Sequence, residues 1–234
     1  MPIFHLLILS IIQGITEFLP ISSSAHLQII PEITNLQKQT LHIDVAVHVG
    51  TLIGVIVFFA KDILQILNGF YNFLKGKKSK EATLFGMIIL ATVPIILAGG
   101  FIWVSDYVDV FRNIELIAWT TIIFGILLYF SDKFFLTVRN IDTLKPSHAI
   151  VIGLAQILAI IPGTSRSGIV ITFARFLGYK RIEATRFAML LSIPAILLPG
   201  IASSVEIFKS GSFALGLDFF ISLLFSFIFS LISI

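Results

Sequence analysis

The stretch PGTSRSG at residues 162–168 decides the fold, because it interrupts an apolar segment and places a permanently charged side chain, Arg166, inside it. A similar stretch, PISSS at residues 20–24, interrupts the first apolar segment of the chain. Proline lacks a backbone N–H and disfavours helix at the residue before it. Segments 3–30 and 147–178 are therefore each predicted to form two short helices around a turn.

The composition indicates a membrane protein. Of the 234 residues, 57% are hydrophobic and only 12% are charged, whereas about a quarter are charged in an ordinary soluble domain. A membrane-spanning helix needs about 20 mostly apolar residues. Uninterrupted stretches of this kind cover about 43–60, 83–104, 114–131, 187–205 and 213–234. The absence of cysteine excludes disulfides and thiolate metal sites.

These features predict an all-α polytopic membrane protein with about five or six transmembrane helices, forming one integral membrane domain over residues 1–234. Irregular backbone at membrane depth persists only where it is buried in protein or lines a watery cavity. The two interrupted segments are therefore predicted to be re-entrant helical hairpins that meet inside the bilayer and form a polar site.

Loop charge predicts the orientation. The lysines at residues 75–80 place loop 61–82 inside, beside anionic lipid rather than nucleic acid. Loops 132–146 and 179–186 are also basic, whereas Asp106, Asp109 and Glu115 suit an outside loop. The first hairpin then enters from outside and the second from inside.

This inverted arrangement has a faint echo in the sequence, since QGITEFLPISS at residues 13–23 parallels QILAIIPGTS at residues 156–165. We therefore predict an inverted-topology repeat, with repeat 1 at about 1–131 and repeat 2 at about 147–234. Inverted repeats usually bring their broken helices together near the bilayer midplane. Repeat 2 lacks a counterpart of the last span of repeat 1, so we expect the chain to be truncated or short at its C-terminus.

Gln13 and Glu17 lie four residues apart and share one helix face within an apolar segment. An ionisable residue inside a membrane segment is costly and usually faces a cavity or pathway. Their oxygens suit a hard divalent cation such as Mg²⁺ or Ca²⁺, and Glu17 alternatively suits the role of a base. The competing interpretation is that Glu17 is merely solvated at the membrane interface.

Ser22, Ser23 and Ser24 are followed by His26. One of the hydroxyls is expected to cap a helix after the proline turn. The remaining hydroxyls and the histidine offer a nucleophile and a proton-transfer group close to Glu17. A lone histidine in an apolar helix is more often structural, and that alternative stays open for His26.

Arg166 is flanked by the small polar residues Thr164, Ser165 and Ser167. A guanidinium captures phosphate oxygens in a bidentate manner, and adjacent backbone N–H groups form anion-binding nests. The alternative is an arginine that extends to the interface.

Other candidate residues have simpler explanations. Three basic residues suit anchoring on the inside and two histidines suit structural or interfacial roles: Arg175, Arg181, Arg186, His42 and His48.

The stretches QGITEFLPISSSAH at residues 13–26, PGTSRSG at 162–168 and RFAMLLSIP at 186–194 resemble the undecaprenyl-diphosphatase family, the bacitracin-resistance phosphatases of bacteria. The resemblance extends to about residue 205. It implies an enzyme of the bacterial cytoplasmic membrane that removes the terminal phosphate of undecaprenyl diphosphate and recycles the carrier lipid for peptidoglycan synthesis. It also implies a divalent-cation requirement and a site that opens toward the periplasm.

When the family's motifs are matched to this sequence residue by residue, the resemblance implies that Gln13 and Glu17 lie near the metal. Ser22, Ser23 and His26 would form the hydroxyl–histidine element, and residues 164–167 the phosphate-binding loop. The polyprenyl diphosphate and the bilayer are the expected partners, no nucleic acid is expected, and a homodimer is left open. A polyprenyl-phosphate flippase with the same architecture is the alternative function. The soluble-type acid phosphatase superfamily does not fit, because it needs a histidine after the Ser-Arg pair and residues 167–178 contain none.

Overall fold

The computed structural model describes residues 1–34, 37–105, 113–135 and 137–234, and its architecture is helical, as the sequence predicts. Two short 3-10 turns, Ile141–Thr143 and Ile157–Ile160, accompany the α-helices. The α-helices are α1 (Ile3–Thr16), α2 (Ser23–Thr34), α3 (Leu41–Phe58), α4 (Ala60–Leu74), α5 (Lys80–Val104), α6 (Ile114–Phe134), α7 (Pro146–Gln156), α8 (Arg166–Phe176), α9 (Arg181–Ser210) and α10 (Phe213–Ser233).

Five of these helices, α3, α5, α6, α9 and α10, are long and apolar enough to cross a membrane. They match the five predicted spans to within a few residues, except that α9 already begins at Arg181, within the predicted loop 179–186. Large apolar side chains such as Leu97 and Phe101 are exposed on their outer faces. Exposed apolar faces on helices of this length suit contact with lipid.

The prediction of a loop over residues 61–82 is wrong, because most of this segment forms helix α4. Apolar residues recur there at helical spacing, and Leu64 and Leu74 are exposed on one side. The other side docks on the start of α5, where a Cβ on Gly69 would lie 2.3 Å from the carbonyl oxygen of Glu81. The lysine run follows α4 directly. Of the residues expected in the outside loop, Asp106 and Asp109 lie outside the described residues, and Glu115 lies exposed in the first turn of α6.

Helices α3 and α10 pack closely through small residues. Ser222, Ser226 and Ser230 recur every fourth residue of α10 and are fully buried. Gly50 of α3 faces this row, and a Cβ there would lie 2.3 Å from the carbonyl oxygen of Leu223. The Ser226 hydroxyl donates to the carbonyl oxygen of Val47 at 2.6 Å. Small residues let membrane helices approach closely, so this serine row fixes the position and rotation of α3.

The two interrupted segments each form a pair of short helices around a turn, α1 with α2 and α7 with α8. The interruptions predicted at PISSS and PGTSRSG are confirmed. The larger buried core surrounds α8, which packs against α6, α7 and α9. Helix α1 packs against α10, α2 and α3.

An ion-pair network lies at the far end of α8 from Arg166. Asp132 at the end of α6 pairs with both Arg175 and Arg181. Arg186 pairs with Asp62 of α4. The three arginines expected to anchor the inside therefore also join α6, α8, α9 and α4 through carboxylates.

Candidate active site

The two turns share an unusual backbone conformation. Ser22 and Ser165 have φ angles of 60° and 61°, in the left-handed region that non-glycine residues seldom adopt. Each precedes a helix, and its hydroxyl accepts from a backbone N–H three residues later, Ala25 at 3.4 Å and Gly168 at 3.1 Å. Both serines are thus N-caps, as expected for one serine of the first run. Strained residues of this kind cluster at functional sites.

This shared geometry shifts by one residue the alignment of the two similar sequence stretches, residues 13–23 and 156–165. The sequence comparison paired Ser23 with Ser165, whereas the backbone pairs Ser22 with Ser165. The second turn has one more residue between its proline and its helix, because α2 begins three residues after Pro20 and α8 begins four residues after Pro162.

The prediction that the two turns meet is confirmed. The Gly163 N–H donates to the Ser22 hydroxyl at 3.0 Å. The Thr120 hydroxyl of α6 donates to the carbonyl oxygen of Pro162 at 2.7 Å and holds the second turn against α6. Gly163 has a φ of +96°, and a Cβ there would lie 2.1 Å from the Thr120 hydroxyl oxygen. Only glycine fits this position.

An ion pair joins the two turns. Nη2 of Arg166 donates to Oε1 of Glu17 at 2.6 Å. The other carboxylate oxygen, Oε2, accepts from the Ser23 hydroxyl at 2.6 Å and from Nε2 of Gln13 at 2.9 Å. The Glu17 side chain is 9% exposed, so neither alternative, a solvated Glu17 or an Arg166 that extends to the interface, describes the arrangement.

Nη1 of Arg166 is buried and has no hydrogen-bond partner among the described residues, and the buried hydroxyl of Thr164, two residues earlier in the chain, has none either. Buried polar groups in native proteins are nearly always paired, so each unpaired donor calls for a ligand or water. Helices α2 and α8 begin at the two turns that contact each other, so their N-termini lie close together. Each N-terminus carries partial positive charge. This concentration of donors and positive charge suits an anion such as phosphate.

The ion pair lies at the polar end of a cavity of about 610 Å³. Ser22, Ser23, Ser165 and Ser167 contribute to this end. Most of the remaining lining is an apolar arm between α5 and α9, where Gly99 and Gly100 leave open space, and Gln28 of α2 and Asp44 of α3 add polar side chains beside it. Other residues of the arm are Ile95, Ile96, Ile102, Trp103, Ile196, Leu198 and Pro199. A cavity with one charged end and a long apolar arm suits a ligand with an anionic head and a hydrocarbon chain.

Two predicted site residues lie behind the cavity. Among the described residues that line it, neither His26 nor Thr164 occurs. Nδ1 of His26 lies 2.9 Å from the carbonyl oxygen of Ser22, at the first turn of α2. This contact places His26 as a support of the strained turn, the structural alternative that its sequence left open.

His48 is the residue that the sequence interpretation missed. The sequence predicts a structural or interfacial role for His48, but its ring lines the cavity, and its Nε2 lies 3.5 Å from Oε2 of Glu17. Nδ1 lies 2.7 Å from the carbonyl oxygen of Asp44, one turn earlier in α3. An ionisable residue within a predicted span was the available signal, the same signal that singled out Glu17.

The chain matches a known protein family over nearly its whole length. The family model described as bacitracin resistance protein BacA matches residues 6–234. The chain belongs to the BacA family. Relatives named undecaprenyl-diphosphatase support this assignment. That of Jannaschia sp. (strain CCS1) is 43% identical over 232 residues, covering 95% of this chain and 87% of the relative. That of Saccharophagus degradans is 48% identical, covering 86% and 75%, and that of Ruegeria pomeroyi is 40% identical, covering 100% and 88%.

The BacA resemblance implied a divalent cation, and the donor atoms at the site fit one. Oε1 of Gln13 is buried and has no hydrogen-bond partner among the described residues. Together with the Glu17 carboxylate it would supply the oxygen ligands that Mg²⁺ and Ca²⁺ prefer. Both Glu17 oxygens accept from protein donors, Oε1 from Arg166 and Oε2 from Ser23 and Gln13.

Proposed function

We propose that this protein is an undecaprenyl-diphosphatase that hydrolyses the terminal phosphate of a polyprenyl diphosphate in the bacterial cytoplasmic membrane. The observation that carries the proposal is the unpaired Nη1 of Arg166 beside the Glu17–Ser23 pair, at the charged end of a cavity with an apolar arm. The relatives named undecaprenyl-diphosphatase support the same function.

The diphosphate binds at the turn that carries Arg166. A phosphate group offers more oxygens and more negative charge than the Glu17 carboxylate, so Arg166 turns from Glu17 to the terminal phosphate and uses both of its terminal nitrogens. Ser165, Ser167 and the first N–H groups of α8 add further donors. The apolar arm between α5 and α9 receives the first part of the polyprenyl chain.

Hydrolysis then uses the hydroxyl–carboxylate contact. The oxygen of Ser23, or of a water beside it, bonds to the terminal phosphorus while the bond from that phosphorus to the bridging oxygen breaks. The proton of the attacking hydroxyl goes to Oε2 of Glu17, which already accepts from Ser23 at 2.6 Å. The bridging oxygen leaves on the polyprenyl phosphate, and Arg166 balances the charge that develops on the phosphoryl oxygens. If Ser23 attacks, a water then bonds to the phosphorus of the phosphoserine while the bond from that phosphorus to the serine oxygen breaks. The proton on Glu17 returns to Ser23, and the proton lost by the water leaves with the inorganic phosphate. A bound Mg²⁺ or Ca²⁺ would neutralise phosphate charge beside Gln13 and Glu17.

The helix lengths support re-entrant hairpins. At about 1.5 Å per residue, the 14 residues of α1 and the 12 of α2 each extend only about 20 Å, whereas the hydrocarbon core is about 30 Å thick. The packing of α1 against α2 and of α7 against α8 also supports the proposal that each helix pair enters and leaves on one side. The cavity lies beside the N-terminal half of α3, and the lysine run follows α4, which begins beyond the C-terminal end of α3. With the lysines inside, the site opens outward and the two pairs form the inverted repeat.

A flippase of the same architecture remains the second candidate, because inverted repeats with broken helices are typical of transporters. Moving a lipid phosphate requires an anion site but no hydroxyl paired with a carboxylate. The 2.6 Å contact between Ser23 and Glu17 therefore favours hydrolysis.

The decisive experiment measures phosphate release by the purified protein in detergent, where no gradient exists, with undecaprenyl diphosphate and Mg²⁺. We expect Arg166→Ala to lower the rate by about a hundredfold or more. The matched control Arg181→Ala removes an exposed arginine that pairs with Asp132 at the other end of α8, and it should retain the wild-type rate. An active Arg166→Ala variant would refute the assigned role, and a wild-type protein without phosphate release would favour the flippase.

The same assay separates the two nucleophiles. Labelled phosphate trapped on Ser23 would identify a phosphoserine intermediate. The absence of labelled protein throughout turnover would identify direct attack by water.

A further inference from the structure

His48 contacts Glu17 from α3, a helix that belongs to neither of the two helix pairs. Gln13 belongs to the helix that ends just before Glu17, and Ser23 belongs to the other half of the same helix pair. Arg166 comes from the second helix pair and His48 from α3. Among the contacts that the described residues make with the Glu17 carboxylate, Arg166 and His48 thus tie it to the rest of the helix bundle.

Substrate binding changes the contacts of the Glu17 carboxylate. If Arg166 turns to the terminal phosphate, as the proposed function requires, Glu17 loses its ion pair with the second helix pair. Gln13 and Ser23 belong to the same helix pair as Glu17, so their contacts with the carboxylate do not tie it to a helix outside that pair. Among the described residues, His48 is then the side chain from outside the pair that still contacts the carboxylate.

His48 is well placed to provide a fixed contact. Nδ1 donates to the carbonyl oxygen of Asp44 at 2.7 Å, because a carbonyl oxygen can only accept, and this contact orients the ring and directs Nε2 at Glu17. The positioning contact is that of the imidazolium form, in which Nε2 also carries a proton and faces Oε2 of Glu17. The helix itself is fixed by the serine row of α10, which packs against Gly50 two residues after His48. The His48 side chain is 25% exposed and borders the cavity, so it reaches Glu17 from the substrate side.

We propose that His48 is a positioning residue: it holds the Glu17 carboxylate against Ser23 while Arg166 binds the phosphate. This inference rests on the proposed function, since it assumes that Glu17 acts on the attacking hydroxyl. A misplacement of about 1 Å in a catalytic group can cost about a hundredfold in rate, so losing such a support has a measurable effect on turnover.

The test compares three substitutions of His48 that differ in side-chain length and in whether the side chain carries an N–H donor. Gln at position 48 carries an N–H donor at nearly the position of Nε2, Asn carries the same donor on a shorter side chain, and Leu carries none. We expect His48→Gln to retain most of the wild-type kcat. His48→Asn and His48→Leu should lower kcat by about ten- to a hundredfold with little change in KM, because Arg166 still binds the phosphate.

His42→Leu is the matched control, since His42 lies earlier on α3 and approaches Glu206 rather than Glu17. It should retain wild-type kcat, and thermal unfolding in detergent should show that all four variants are folded. A wild-type kcat in His48→Leu, or a His48→Gln variant as impaired as His48→Leu, would overturn the positioning role. A wild-type protein without phosphatase activity would instead refute the proposed function itself.

Discussion

Arg166 and Glu17 lie 149 residues apart in the chain, and their side chains form a 2.6 Å ion pair that joins the two interrupted segments. The pair neutralises two charges that would be costly inside a membrane protein if either were alone. It also occupies the guanidinium that a phosphate group would bind. The same contact therefore stabilises the site and must open when the phosphate binds Arg166.

The stability of this pair is testable with a double-mutant cycle. Removing one partner of a buried ion pair costs about 3–5 kcal/mol, because the other charge is left uncompensated. We expect Glu17→Gln and Arg166→Gln each to lower the unfolding midpoint in detergent, and the double variant to be more stable than the sum of the two losses predicts. Strictly additive losses would show that the two side chains do not interact in solution.

The second prediction concerns Gly163, whose φ of +96° and contact with Thr120 leave no room for a Cβ. Gly163→Ala should displace the turn from α6, lower the unfolding midpoint and remove most of the activity, because Arg166 follows three residues later. Gly125→Ala is the control, since nothing lies within 4 Å of a Cβ added to this exposed glycine of α6. Equal stability of the two variants would contradict the close contact between Gly163 and Thr120.

The interruptions at Pro20 and Pro162 were predictable because their causes are local. A proline followed by a run of small polar residues favours the end of a helix, whereas Pro94 and Pro194, without such a run, lie inside α5 and α9. Apolar stretches of sufficient length predict spans. The meeting of the two turns was also predictable, because inverted repeats bring their broken helices together near the bilayer midplane. The pairing of Arg166 with Glu17 was not predicted, because the sequence indicates only that each is costly inside an apolar segment.

The features that sequence reasoning missed depend on tertiary packing. The direction in which His48 points is set by the rotation of α3, which in turn is set by its contact with Ser226 and its neighbours on α10. Helix α4 was taken as loop because the lysine run dominated the segment, although its apolar residues recur at helical spacing. The one-residue offset between the two turns comes from the backbone at Ser22 and Ser165, which no residue pattern specifies.

The third prediction tests the orientation with single cysteines, for which the cysteine-free chain is well suited. Lys38→Cys lies before α3, on the cavity side, and Lys78→Cys lies between α4 and α5; both lysines are exposed. We expect a membrane-impermeant maleimide added to intact spheroplasts to label position 38, and to label position 78 only after the membrane is opened. The unmodified chain is the control, and the reverse pattern would mean that the site opens inward.

The fourth prediction concerns the apolar arm of the cavity. Nothing lies within 4 Å of a Cβ added to Gly99 of α5 or to Gly125 of α6, but only Gly99 lines the cavity. Gly99→Phe should fill the arm without displacing the backbone and lower kcat/KM for undecaprenyl diphosphate by about tenfold, because the polyprenyl chain loses its place. Gly125→Phe adds the same bulk on an exposed surface and should keep the wild-type value. If both variants hydrolyse the lipid at the wild-type rate, the chain does not lie between α5 and α9.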